Sequence, residues 1–201
     1  MLFLQEGENE TVEELIILST PNKQSVIKIR ASPLPPEVTN LLENHAELLR
    51  ALDKQMNSKL GPQNKDNNEH SVYLDVDHES QTILTEHTLK AIESLREKLR
   101  DAFAVTGDKW KGAENHIWSL GPRRCGPNVL LNRVPSYDHP SIWNKFEGSD
   151  PRLEYDSSFV NGFQLATLAG PLCEEPMMGV CFEVEDWILT DKTQVDQTLS
   201  R

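Results

Sequence analysis

Ser157–Trp187, SSFVNGFQLATLAGPLCEEPMMGVCFEVEDW, decides the fold class of this chain. Asp156, Ser157 or Ser158 can cap a helix, because a short side-chain oxygen accepts from the free amides of a first turn. Phe159, Phe163 and Ala166 recur at helical spacing and give one apolar face. Gly170-Pro171 stops the helix: glycine accepts the left-handed conformation past a helix end, and proline cannot continue it. After Cys173-Glu174-Glu175-Pro176 the period becomes two. Val180, Phe182 and Val184 then point one way, and Cys181, Glu183 and Glu185 the other. A helix feeding such a strand is a piece of a two-layer α+β domain.

Upstream, Glu14–Ser19 and Ser25–Ala31 are β-rich runs separated by Thr20-Pro21-Asn22-Lys23, which predicts a hairpin. Ser32-Pro33-Leu34-Pro35-Pro36 ends it, since proline cannot donate to a ladder. One helix is expected from Pro36 or Glu37 to Met56, with Val38, Leu41, Leu42, His45, Leu48, Leu49 and Leu52 on its apolar stripe. The stripe is read as buried in its own domain rather than as a partner-binding face, and His45 as a packing residue. A second helix begins at Thr85 or Thr88, turns Leu89, Ile92, Leu95, Leu99 and Phe103 inward, and exits at Thr106-Gly107-Asp108. The two helices should pair as a helical hairpin. Between them, residues 57–84 hold too little apolar surface to offset their ordering entropy and read as a flexible insertion. Asp75, Asp77 and His78 lie in it without a complete ligand set. His116–Pro122 and Asn128–Asn132 read as strands around the turn Arg123-Arg124-Cys125-Gly126-Pro127. Residues 133–155 form a long connection anchored by Trp143 and Phe146. The domain-like region thus divides into 11–56 and 85–190, with a lead-in over 1–10 and a polar tail over 191–201.

The 201 residues are 37% apolar and 26% charged, so the core should be modest. A net charge of −12 opposes broad, non-specific binding to nucleic acid, which needs phosphates neutralised. Cys125, Cys173 and Cys181 are an odd set without CxxC, so reduced thiols are favoured over zinc or disulfides. Met1-Leu2-Phe3-Leu4 lacks a basic flank, and no apolar run reaches membrane length. A soluble, cytoplasmic chain without membrane contact is expected.

No G-x-x-x-x-G-K-[ST] phosphate loop, G-x-G-x-x-G or G-x-S-x-G is present. Cys125 with His116 can be imagined as a nucleophile and base, with Arg123 and Arg124 lowering the thiol pKa. A structural cysteine is preferred, because no third residue orients such a pair. Glu174 and Glu175 are read as surface charges. No catalytic, cofactor-binding or metal-binding residue is therefore assigned. One segment departs from the acidic background. Lys109, Lys111, Arg123, Arg124 and Arg133 outnumber Asp108 and Glu114, with Trp110 among them. Cations beside an aromatic ring suit phosphate contact and stacking on RNA. A merely solvated face competes with that reading, and composition alone favours the solvated face.

Ile117-Trp118-Ser119-Leu120-Gly121-Pro122 and Gly126-Pro127-Asn128-Val129-Leu130-Leu131 resemble domain IV of the translocase family of elongation factor 2 and elongation factor G. So do Phe163-Gln164, Ala166-Thr167, Gly170-Pro171, Leu172-Cys173-Glu174-Glu175 and Met178-Gly179-Val180. Residues 11–189 follow the family order. Arg123-Arg124-Cys125 and Gln164-Leu165-Ala166-Thr167-Leu168, with the polar insertion, are closer to the elongation-factor-like GTPases of ribosome maturation. The resemblance implies a fold like domain 2 of ribosomal protein S5. It also implies a ribosome-contacting role for a fragment covering most of domain IV. The implied partners are the pre-60S subunit with its rRNA, SBDS and eukaryotic initiation factor 6, whose release the GTPase promotes. Lys109, Lys111, Arg123, Arg124 and Arg133 become the expected rRNA-facing residues. GTP and magnesium would belong to a separate domain of the full-length family, so this chain should be inactive alone. Domain IV of elongation factor 2 itself, the splicing GTPase of the U5 particle, and a stand-alone protein-binding module are the alternatives.

Overall fold

The computed structural model of the chain describes residues 15–58, 85–135, 137, 141–144, 148–171 and 174–190. Strand β1 (Leu15–Ser19) and β2 (Ser25–Pro33) form the expected antiparallel hairpin, from Leu15 opposite Arg30 to Ser19 opposite Val26. Its turn is closed by Thr20, whose carbonyl accepts from the Lys23 N–H at 2.8 Å and whose hydroxyl accepts from the Ser25 N–H at 3.0 Å.

The single helix expected from Pro36 to Met56 is two helices, α1 (Pro36–Asn44) and α2 (Ala46–Ser58), broken at His45. His45 leaves helical geometry at φ −116° and ψ 18°, and its N–H bonds to Leu42 O at 3.3 Å. Its ring Nδ1 lies 2.8 Å from Leu41 O, so the imidazole takes up a carbonyl at the end of α1. The stripe is interior as expected, with Val38, Leu42, Leu49 and Leu52 buried. Helix α3 (Glu86–Thr106) is capped by Thr85, whose hydroxyl accepts from the Thr88 N–H. Burial begins at Leu95 and runs through Leu99, Ala102 and Phe103. Leu89, expected on the inner face, is 49% exposed, because the first turns of α3 have no buried surface opposite them among the described residues.

Strands β3 (Ile117–Gly121) and β4 (Asn128–Asn132) form a second antiparallel hairpin. Helix α4 (Leu153–Leu168) then leads to β5 (Val180–Leu189), which runs parallel to β4 and antiparallel to β2. The sheet order is β1-β2-β5-β4-β3, an α+β arrangement in keeping with a translation-factor domain. Period two along β4 separates the core. Val129 and Leu131 face Val38, Leu42, Leu99 and Phe103 of α1 and α3, while Leu130 faces Val160 and Phe163 of α4.

Helix α4 starts earlier than the serines imply. None of Asp156, Ser157 or Ser158 caps it, and Arg152 at the cap position makes no side-chain capping bond. Asp150 accepts the N–H groups of Arg152 and Leu153 at 2.8 and 3.0 Å instead. Asp156, freed from capping, turns inward and accepts from Trp118 Nε1 at 2.8 Å and Tyr137 OH at 3.2 Å. Ala166 is exposed, and Thr167 takes the inward position. That burial is tolerated because its hydroxyl donates to Phe163 O at 2.9 Å. The helix ends before Gly170 as expected, but the left-handed residue nearby is Glu174, at φ 55°. Gly170 is small for a different reason: a Cβ would meet Glu175 O at 3.1 Å and Met177 Cγ at 3.2 Å.

Along β5 the alternation holds through Val184. The register then slips at Glu185, since Val184 pairs with Ile29 and Asp186 with Lys28. The extra residue is a β-bulge, and it brings Trp187 onto the same face as Val184. Of the insertion read over 57–84, residues 57 and 58 belong to α2, and the rest lies outside the described residues, as do Asp75, Asp77, His78, Phe146, Cys173, the lead-in and the polar tail. No helix of the described residues is long and apolar enough to cross a membrane.

Candidate nucleic-acid interface

The five cations do not form one patch. In an antiparallel hairpin Ile117 lies opposite Leu131 and Gly121 opposite Asn128, so the two ends of β3–β4 are separated by a strand length, about 13 Å. Lys109, Lys111 and Arg133 belong to the open end, Arg123 and Arg124 to the turn. The same separation keeps His116 from Cys125, so they are not a nucleophile and base. The buried Cys125 has Arg50 Nη2 at 3.8 Å instead.

At the open end Lys109 and Arg133 converge on Glu183, a β5 carboxylate only 7% exposed. Lys109 Nζ lies 3.5 Å from Oε1, and Arg133 Nε 3.9 Å from Oε2. Both are ion pairs, and Oε1 accepts no hydrogen bond. Arg133 Nη2 also donates to Lys109 O at 3.3 Å. Trp110 is no stacking platform: it is 7% exposed and stacked on Phe103, ring centroids 5.7 Å apart. Lys109 lies over its ring at 5.1 Å. Lys111 is exposed and has no carboxylate partner among the described residues.

The turn is built more tightly. Arg123 and Arg124 are consecutive left-handed residues, at φ 58° and 57°, an arrangement that persists only where the surroundings hold it. Gln164 of α4 supplies one hold. Its Oε1 accepts from the Arg124 N–H at 2.9 Å, while Nε2 donates to Leu120 O at 2.8 Å and Ser119 Oγ at 3.0 Å. Asn128 supplies another, donating to Gly121 O at 2.9 Å and Met177 O at 2.6 Å and accepting from the Val180 N–H at 3.0 Å. Gly121 must lack a Cβ, which would fall 2.7 Å from Phe163 Cε1. Arg124 is half-buried, with Asp53 at 3.8 Å. Arg123 is exposed and, among the described residues, paired with no carboxylate.

Arg123 stands on the rim of an open cleft of about 400 Å³. Pro122, Pro127, Leu168, Met177 and Met178 make apolar walls, and Glu43 of α1 adds a carboxylate. The turn is not a nucleotide-phosphate cradle. Its Cys125 and Gly126 N–H groups are spent on Pro122 O and that of Arg124 on Gln164, leaving no nest of free amides. This turn therefore offers no amide cradle for the phosphates of GTP. Glu174 and Glu175 are exposed, as a surface reading expects. Sequence reasoning missed the structural duty of Gln164, which acts on a residue 40 positions away, and the place of Glu43 on the cleft; neither carries a local signal.

Residues 30–133 match the sequence model of the family described as the elongation factor-like GTPase 1-like domain. The chain is 38% identical over 193 residues to human elongation factor-like GTPase 1, covering 93% of this chain. It is 33% identical over 174 residues to ribosome assembly protein 1 of Saccharomyces cerevisiae, covering 87%. It is 31% identical over 102 residues, half of this chain, to the 110 kDa U5 small nuclear ribonucleoprotein component CLO of Arabidopsis thaliana. The chain spans 15% of the human relative, 13% of the yeast one and 9% of the plant one.

Proposed function

The chain belongs to the elongation factor-like GTPase 1 family, and from that membership we propose that it is a ribosome-contacting domain IV segment of a cytoplasmic GTPase of 60S subunit maturation. In this reading the whole protein binds GTP and magnesium on another domain. It works with SBDS to release eukaryotic initiation factor 6 from the pre-60S subunit, and this segment contributes contact rather than catalysis. One observation carries the assignment to the β3–β4 hairpin. In a chain of net charge −12, its turn presents Arg123, and the segment leading into β3 presents Lys111, to solvent without a carboxylate partner among the described residues. Unpaired cations can neutralise phosphates, whereas Lys109, Arg124 and Arg133 are already engaged with acids.

Sedimentation of the chain with purified large subunits over a salt series tests the reading. Neutralising Arg123 and Lys111 together should weaken association and flatten its salt dependence by about two phosphate contacts. Neutralising Lys109 and Arg133 should chiefly lower stability, by stranding the buried Glu183. Salt-insensitive association, unchanged when Arg123 and Lys111 are neutralised, would remove the hairpin from the interface.

A further inference from the structure

The cleft beside Arg123 has features that a phosphate-contacting loop alone does not need. Its walls are apolar and soft: three prolines, Pro122, Pro127 and Pro176, with Leu168, Met177 and Met178. Its two charged groups are of opposite sign, Arg123 at the turn and Glu43 near the end of α1. At about 400 Å³ it lies within the roughly 300–1,000 Å³ of small-ligand clefts. The clasps of Gln164 and Asn128 hold its Arg123 side in a preformed shape.

We propose that this cleft receives a single unpaired RNA base, with Arg123 on its phosphate and Glu43 accepting from its exocyclic amine. The inference rests on the ribosome-contacting reading and deepens it. A nucleotide carries the complementary pair of charges and dipoles: an anion at one end, N–H donors at the other, and a flat face between. Proteins that take up an extruded base hold it between aromatic or apolar side chains and read its edge by hydrogen bonds; this cleft has the apolar kind of wall. A carboxylate can accept from cytosine N4–H₂ but not from uracil O4, which is itself an acceptor. Glu43 therefore selects an amino-bearing pyrimidine over uracil. Methionine sulfur and methyl groups are polarisable and adapt to an inserted ring.

The test uses the full 201-residue chain with ten-nucleotide oligocytidine and oligouridine RNAs, followed by fluorescence anisotropy and by the NMR signals of the methionine methyl groups. Oligocytidine should shift the Met177 and Met178 methyls upfield, through the ring current of a base lying on them. It should bind roughly fivefold or more tightly than oligouridine, as one carboxylate–amine contact allows. Glu43→Ala should abolish that preference. Arg123→Gly, which also relieves the left-handed backbone, should weaken both RNAs alike. If anisotropy saturates while both methyl signals stay in place, RNA binds elsewhere: the inference fails and the ribosome-contacting reading stands. Shifts caused by an acidic peptide but by neither RNA would assign the cleft to a protein and overturn the inference. Loss of large-subunit association with no effect of Glu43→Ala on RNA preference would also overturn it, leaving Arg123 as a phosphate contact alone.

Discussion

Asn128 is fully buried, and its carboxamide is used at both ends. Its amine donates to Gly121 O and Met177 O, and its oxygen accepts from the Val180 N–H. One side chain thus ties the end of β3 to the start of β5. Asn128→Ala would leave two carbonyls and an amide without partners in the interior, so it should cost roughly 2–4 kcal/mol of stability. Urea unfolding followed by tryptophan fluorescence measures the loss, and a cost under about 0.5 kcal/mol would mean that water replaces the clasp. The neighbouring Gly121 and Gly126 are legible as a turn signature, yet the sequence carries no sign of what their missing Cβ atoms make room for. At Gly121 it is Phe163 and Thr167 of α4. Arg123 and Arg124 are adjacent and chemically equal, but Asp53 comes within 3.8 Å of Arg124, while Arg123 has no carboxylate partner among the described residues. Only the fold distinguishes them.

Strand β1 is an edge strand whose Leu15, Ile16, Ile17 and Leu18 are 37–62% exposed. Natural edges are usually blunted by lysine, proline or a covering element, and none of the described residues covers this one. Placing a charge there should suppress edge-to-edge pairing without a stability penalty. Ile17→Lys is expected to remain monomeric at concentrations where the parent chain self-associates, with its unfolding free energy changed by less than about 0.5 kcal/mol. Analytical ultracentrifugation decides it: identical sedimentation of the two proteins would show that the edge is not the contact. Across the sheet, Lys28–Asp186 and Arg30–Glu185 are ion pairs of 3.0 and 2.7 Å beside the β5 bulge. The bulge aims both acids at β2 cations, a pairing that strict alternation would have given only to one of them. Helix existence was readable from leucine spacing, because each helix needs one apolar stripe wherever it packs. The break at His45 was not, since Leu48, Leu49 and Leu52 continue the stripe through it.

The sheet divides the interior in two. One side, between the sheet and α1–α3, is mostly aliphatic, with the stacked Phe103 and Trp110 within it. The other, beneath α4, is aromatic, with Trp118, Tyr137, Phe159 and Trp187 in mutual ring contact. Asp156 enters that aromatic side, and burial raises its carboxyl above the ordinary 3.8, although hydrogen bonds from Trp118 and Tyr137 favour the anion. Between 3.8 and the raised value the folded chain binds more protons than the unfolded one. The Asp156 contribution to stability is therefore largest in acid and falls as pH rises through that window. Asp156→Asn keeps an acceptor oxygen and removes the linkage, so it should gain stability relative to the parent as pH is raised from about 4. Urea midpoints over a pH series test this, and a difference independent of pH would refute it. Local patterning was enough to determine the two hairpins, which segments are helical, the stop before Gly170 and the α+β class, but not the break at His45, the start of α4 or the covering of both sheet faces by helices, where two layers were expected. Side-chain period and turn chemistry act between near neighbours in the chain, and they survive whatever the elements pack against. The sheet order, the burial of Trp110, the capture of Lys109 and Arg133 by Glu183 and the exposure of Arg123 were decided only by tertiary structure. Each depends on a partner far away in sequence, and burial and charge pairing are set by distance in space.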